Sequence, residues 1–223
     1  MSSLITHADA LLRPTTRDAF RGRTLVATIV LFGLFYGTMM GLFFGEDQLP
    51  RLLQSLYSGV KVPLLLILTF LLALPSFYVL NMLMGLAGDF PRMLRALLAT
   101  QAGLTVVLAS LAPFTLLFYA STTNYDAAIL FNALMFGTAS LVGQRLLKRF
   151  YAPLIARDRR HLTMVRVWII LYAFVGIQMG WVLRPFIGDP DKPTHFFREG
   201  AWGNAYVEVW EKVVGASHGG RER

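Results

Sequence analysis

Five stretches of this chain, residues 25–44, 62–85, 96–120, 127–144 and 167–183, are almost wholly apolar, and none contains Asp, Glu, Lys, Arg or His. About 20 such residues in a helix cross the roughly 30 Å of bilayer hydrocarbon, where no water is present and every backbone N–H and C=O must be paired within the segment. The composition agrees: 55% of residues are hydrophobic, 15% are charged and the mean hydropathy is +0.53. The expected fold is therefore all-α, a polytopic membrane protein of five transmembrane helices. It divides into an N-terminal segment (1–24), a membrane domain (25–185) and a tail (186–223). The polar segment before residue 25 carries four arginines and no small-residue cleavage site, so the first stretch is expected to be a retained span and not a removed signal.

An odd number of crossings puts the termini on opposite sides, and the basic residues then sort by side. One side receives Arg13, Arg17, Arg21 and Arg23, then Arg92 and Arg95, then a loop with Arg145, Lys148, Arg149, Arg157, Arg159, Arg160 and Arg166. Net charge there is +9, against −1 on the other side, which holds all of the chain's +8 on one face. The expected orientation is N-terminus in, C-terminus out, with a bacterial inner membrane or an internal membrane derived from it as the location. The basic surface of Arg145, Lys148, Arg149, Arg157, Arg159 and Arg160 is expected either to meet anionic lipid, each charge contributing about 1 kcal/mol, or to dock an acidic partner. No nucleic-acid partner is implied once the charge is assigned to membrane sides.

Two amphipathic segments flank the spans. Leu49, Leu52, Leu53, Leu56, Tyr57 and Val60 recur at helical spacing between spans one and two. With Arg51, Gln54, Ser55 and Ser58 on the other face, this reads as a helix lying at the outer interface. After span five, Pro185, Pro190 and Pro193 exclude continued helix. Asn204 then caps a second expected helix, with Tyr206, Val209, Trp210 and Val213 on one stripe, resting on the outer surface of the bundle or against a partner.

Inside the spans, Gly33, Gly37, Gly41 and Gly45 repeat at strict i, i+4 spacing, and Gly176 and Gly180 repeat in span five. Small residues so placed let helix backbones approach closely in lipid, within the chain or between copies. The intramembrane amides pair by depth at about 1.5 Å per residue: Asn81 with Gln101 toward the inner side, and Asn132 with Gln178 toward the outer. Pro75 and Pro113 are expected to bend their helices.

The chain has no cysteine, and its four histidines all fall in polar segments, so thiolate chemistry, disulfides and intramembrane haem ligation are excluded. No phosphate loop, nucleophile triad or HExxH pattern is present. No catalytic residue, metal or cofactor is expected, and the chain does not read as an enzyme.

Val60-Lys61-Val62-Pro63, residues 74–81 (Leu74 to Asn81), Ala112-Pro113-Phe114, residues 180–186 (Gly180 to Phe186), Arg198-Glu199 and Gly203-Asn204 together resemble a group of poorly characterised bacterial multi-pass proteins. That group is distantly similar to the Yip (Ypt-interacting protein) superfamily, and the resemblance implies five spans. The expected function is a non-catalytic membrane subunit or scaffold forming a homo-oligomer or a larger complex. The alternative is a small transporter or channel for a lipid or neutral solute.

Overall fold

In the computed structural model the described residues are 22–43, 48–188, 194–197, 203 and 206–207. Five helices account for most of them: α1 (Gly22–Met40), α2 (Gln48–Leu83), α3 (Phe90–Ser121), α4 (Tyr125–Arg157) and α5 (Arg160–Val182), with a 3-10 turn at Ala87–Asp89. Each is long and apolar enough to cross a membrane. Gly45, most of the N-terminal segment and all of the expected tail helix from Asn204 except Tyr206 and Val207 lie outside the described residues.

Local chemistry sets the helix ends. Gly85 adopts φ +71° after α2, a left-handed conformation that a side chain disfavours. Its N–H bonds the Met82 carbonyl and the Leu86 N–H reaches the Asn81 carbonyl, closing a Schellman cap. Asn124 caps α4 by accepting from the Ala127 N–H at 3.0 Å. Pro91 occupies the first turn of α3, where its missing donor costs nothing.

Three contacts along the helices fix the antiparallel register of α1 on α2. Gly33 meets Pro63, Gly37 meets Ser58 and Gly59, and Gly41 meets Ser55. A second antiparallel register joins α2 to α5, where Thr69 touches Gly176, Phe77 packs on Trp168 with ring centroids 5.0 Å apart, and Arg160 bonds the Met84 carbonyl. Thus α2, about 54 Å long at 1.5 Å per residue, pairs with α1 along its first half and with α5 along its second. α3 completes the bundle beside α1, and α4 packs antiparallel on α3 through Gly103 against Leu146 and Gly143 against Leu104.

The core has two parts. Leu25, Ile29, Tyr36, Leu104, Leu108 and Met135 fill the first, and Phe77, Met93, Leu97, Tyr151, Met164 and Trp168 fill the second. Large apolar side chains also point outward, Leu83, Leu117, Leu130 and Ile170 among them, as expected of helices solvated by lipid.

Two expectations about boundaries are corrected. Residues 48–60 do not form a separate interfacial helix but are the first turns of α2, which runs without interruption through Gly59 and Pro63. Their orientation is also inverted: Gln54, Ser55 and Ser58 are buried, while Leu52, Leu56 and Val60 are exposed. The reason is the close approach of Gly37 and Gly41, which draws this face onto α1. Likewise the basic loop after span four is helix, since α4 continues to Arg157 and only Asp158 and Arg159 separate it from α5.

Candidate functional site

The register of α1 on α2 has a chemical consequence, because it sets Lys61 opposite Phe35. That position is five residues, about 7.5 Å, from the end of α1 at Met40. The stretches 62–85 and 25–44 are uncharged as read, yet α2 enters the membrane-spanning bundle well before Val62 and carries Lys61 with it. Lys61 is fully buried.

Its partners come from the chain beyond α5. That helix stops at Val182, and residues 184–188 run without helix along the first half of α2, with Gly188 lying over the Gln54 side chain. Non-helical backbone at membrane depth is tolerated only where its polar groups find partners in the protein. Gln54, Ser58 and Lys61, at i, i+4 and i+7 on one face of α2, provide them. Lys61 Nζ donates to the Pro185 carbonyl at 2.6 Å, Ser58 Oγ donates to the Phe186 carbonyl, and Gln54 Nε2 lies 3.4 and 3.3 Å from the same two oxygens. Tyr125 of α4 donates to the next carbonyl, Ile187, at 3.5 Å.

Aromatic rings close the remaining sides. Phe196 lies with its ring centroid 4.9 Å from Lys61 Nζ and packs edge-on against Tyr57, a cation–π arrangement. Arg184 stacks on Trp181, 3.1 Å from the ring centroid. Among the described residues no carboxylate lies within ion-pair distance of Lys61. The site therefore joins three segments far apart in sequence, residues 54–61, 181–188 and 196.

A second polar knot lies nearby. Asn132 Nδ2 donates to the Tyr119 hydroxyl at 2.6 Å, Tyr36 donates to Asn132 Oδ1 at 3.3 Å, and Tyr119 donates to the Met40 carbonyl at 2.9 Å. Three helices are tied by it.

The expected amide pairs are not formed. Asn81 Nδ2 turns back to its own helix at the Phe77 carbonyl, 2.7 Å away, and the side-chain oxygens of Asn81 and Gln101 are both buried without hydrogen-bond partners. Gln101 instead faces Tyr172 of α5. Gln178 donates to the Gly203 carbonyl at 3.1 Å, and Asn132 bonds the tyrosines. Equal depth was a sound premise, but depth alone does not say which helices are neighbours: α5 packs on α2, away from Asn132.

The glycines divide by face. A Cβ at Gly33, Gly37 or Gly41 would press on α2, and Gly176 faces Thr69, so these positions pack within the chain. Gly180 and Gly137 have nothing within 4 Å. Of the basic surface, Arg145, Lys148, Arg149 and Arg159 are exposed on or just past α4. Arg157 bonds Asp89 at 3.2 Å, and Arg160 pairs with Asp158 at 2.7 Å. With Arg92 also on Asp89, they clamp the α2–α3 turn to the α4–α5 turn.

The sequence reading passed over Lys61 because it stands one residue outside a charge-free window. The available signal was the polar stripe Gln54, Ser58 and Lys61 at i, i+4 and i+7, running on into an apolar stretch in spite of Gly59 and Pro63.

No protein-family model matches the sequence, and neither the curated proteins nor the solved structures give a match. The class is defined by the five apolar helices alone: this is an integral, multi-pass membrane protein.

Proposed function

We propose that this chain is a non-catalytic integral membrane subunit that assembles with copies of itself or with other membrane proteins. The observation that carries this reading is the sparse packing of α5. Only 17% of its most apolar window is buried within the chain, and Gly180 near its end meets nothing within 4 Å. On α4, exposed Ala133 and Gly137 form a similar notch. Small residues on lipid-facing helices admit a neighbouring helix closely, whereas the glycines of α1 are already used inside the fold. The charge asymmetry supports a cytoplasmic N-terminus and basic face in a bacterial inner membrane or a membrane derived from it. Arg145, Lys148 and Arg149 then lie where anionic headgroups gather. The resemblance to the Yip superfamily accords with five crossings.

The test is gentle detergent extraction followed by native mass spectrometry of the tagged protein and of Gly137→Leu and Gly180→Leu. A specific complex lost in one of these variants supports the reading. A lone monomer under conditions that preserve other membrane complexes refutes it.

A carrier of small solutes is the second reading. It is favoured by the buried oxygens of Thr69, Asn81 and Gln101, which have no hydrogen-bond partner among the described residues and would suit a polar guest.

A further inference from the structure

We propose that Lys61, Ser58 and Gln54 form an occluded site for an oxyanion, the phosphate of a lipid headgroup or a free phosphate, with residues 184–188 as its removable plug.

The first argument is charge. An ammonium shut off from water is costly unless it is paired, and ionisable groups within spans ordinarily face a partner of opposite sign. Lys61 is 0% exposed, has three donors, and among the described residues the one acceptor within hydrogen-bond distance is the neutral Pro185 carbonyl. The Phe196 ring face offers only the weaker attraction of its quadrupole. Nothing among the described residues cancels the charge.

The second argument is the donor set. Lys61 Nζ, Ser58 Oγ and Gln54 Nε2 converge on two adjacent carbonyl oxygens, Pro185 and Phe186. A group with several oxygens is matched by the same three donors. An ionised acceptor makes shorter hydrogen bonds, about twice as strong as neutral ones, so phosphate oxygens compete well with the carbonyls they would replace. Gln54 Nε2 divides itself among Ser58 Oγ, Pro185 O and Phe186 O at 3.1 to 3.4 Å, which leaves it poorly committed to any one of them.

The third argument is how the covering element is held. Residues 184–188 are not helical, so their place against α2 depends on side-chain donors and on Ile187 packing, not on an i→i−4 ladder. Exchanging carbonyls for an oxyanion releases the segment without unravelling a span, and the freed carbonyls then take water at the outer surface as their partner.

The experiment uses the full-length chain in detergent and in nanodiscs, which separate the two sources. A maltoside detergent, which carries no phosphate, with inorganic phosphate added probes the free anion. Discs containing one-fifth phosphatidylglycerol, analysed by native mass spectrometry, probe the anionic headgroup. Saturable retention of one phosphate or one phosphatidylglycerol is expected, at least tenfold weaker in Lys61→Met, several-fold weaker in Ser58→Ala and largely kept in Lys61→Arg. Hydrogen exchange of residues 184–188 in the wild type should rise when the probe binds, a readout that does not depend on the folding of any variant. Absence of saturable binding of both probes, equal binding by a folded Lys61→Met, or unchanged exchange at 184–188 on binding would each overturn the proposal.

Discussion

Replacing Gly37 by alanine tests the α1–α2 register on which the placement of Lys61 rests. The new Cβ would collide with the Ser58 carbonyl oxygen and lie 2.8 Å from Gly59 Cα, both of them backbone atoms. A flexible side chain can swing aside from an added methyl, but a helix backbone can only retreat as a unit. Forcing a methyl into a filled site costs about 1–3 kcal/mol, and the backbone contact argues for about 3. Exchanging glycine for alanine within a helix returns about 1 kcal/mol, so the net loss is about 2 kcal/mol. At Gly180, where nothing in the chain lies within 4 Å, the same exchange carries only the gain in the detergent-dispersed monomer. The two variants should differ by about 3 kcal/mol, or about 6 to 12 °C on the scaling of globular chains of this size. Gly33→Ala should fall between them, since its Cβ would meet Pro63 Cβ at 3.1 Å. Thermal unfolding in one detergent, followed by size-exclusion recovery, gives the ranking. If Gly37→Ala melts with or above Gly180→Ala, the close approach of α1 to α2 is wrong, and with it the depth assigned to Lys61.

Tyr119→Phe removes the donor to the Met40 carbonyl and the acceptor of Asn132 Nδ2. It should cost about 1–2 kcal/mol, read as a lower melting temperature, with Asn132→Leu adding little on top because both act on one knot. A chain without cysteine permits clean single-site labelling: Ser3→Cys and Ser217→Cys should react with impermeant maleimide from opposite sides of the membrane, and reaction from the same side would refute five crossings. Bonds from the Arg160 guanidinium and backbone N–H hold the Asp158 carboxyl below its usual value of 3.8. This contribution to the α4–α5 turn is present above that value and is lost only as pH falls below it. Hydrogen exchange at residues 158–162 should therefore be unchanged between pH 7 and 5, apart from the intrinsic rate, and earlier loosening would refute the role given to Asp158.

The all-helical architecture and the five apolar elements were legible because lipid imposes a length and an apolar requirement that sequence cannot disguise. Side-chain orientation was less so. Gln54, Ser55 and Ser58 are polar at helical spacing, a pattern that fits a helix facing water equally well as one facing non-helical backbone. Only the position of residues 184–188, more than 120 residues away, distinguishes them. The amides failed for a related reason. Asn81 satisfies its donor on its own helix, and Gln178 bonds Gly203, choices set by which helices are adjacent. Helix length was underestimated at α4 because Arg145, Lys148 and Arg149 end the hydrophobic run while leaving helix propensity intact.

The pairing of α2 with residues 184–188 also has a bearing on synthesis. A ribosome delivers Gln54, Ser58 and Lys61 to the membrane long before it has made the carbonyls that receive them, the Lys61–Pro185 bond spanning 124 positions. During that interval a lysine among lipid tails has nothing to donate to and is expensive to bury.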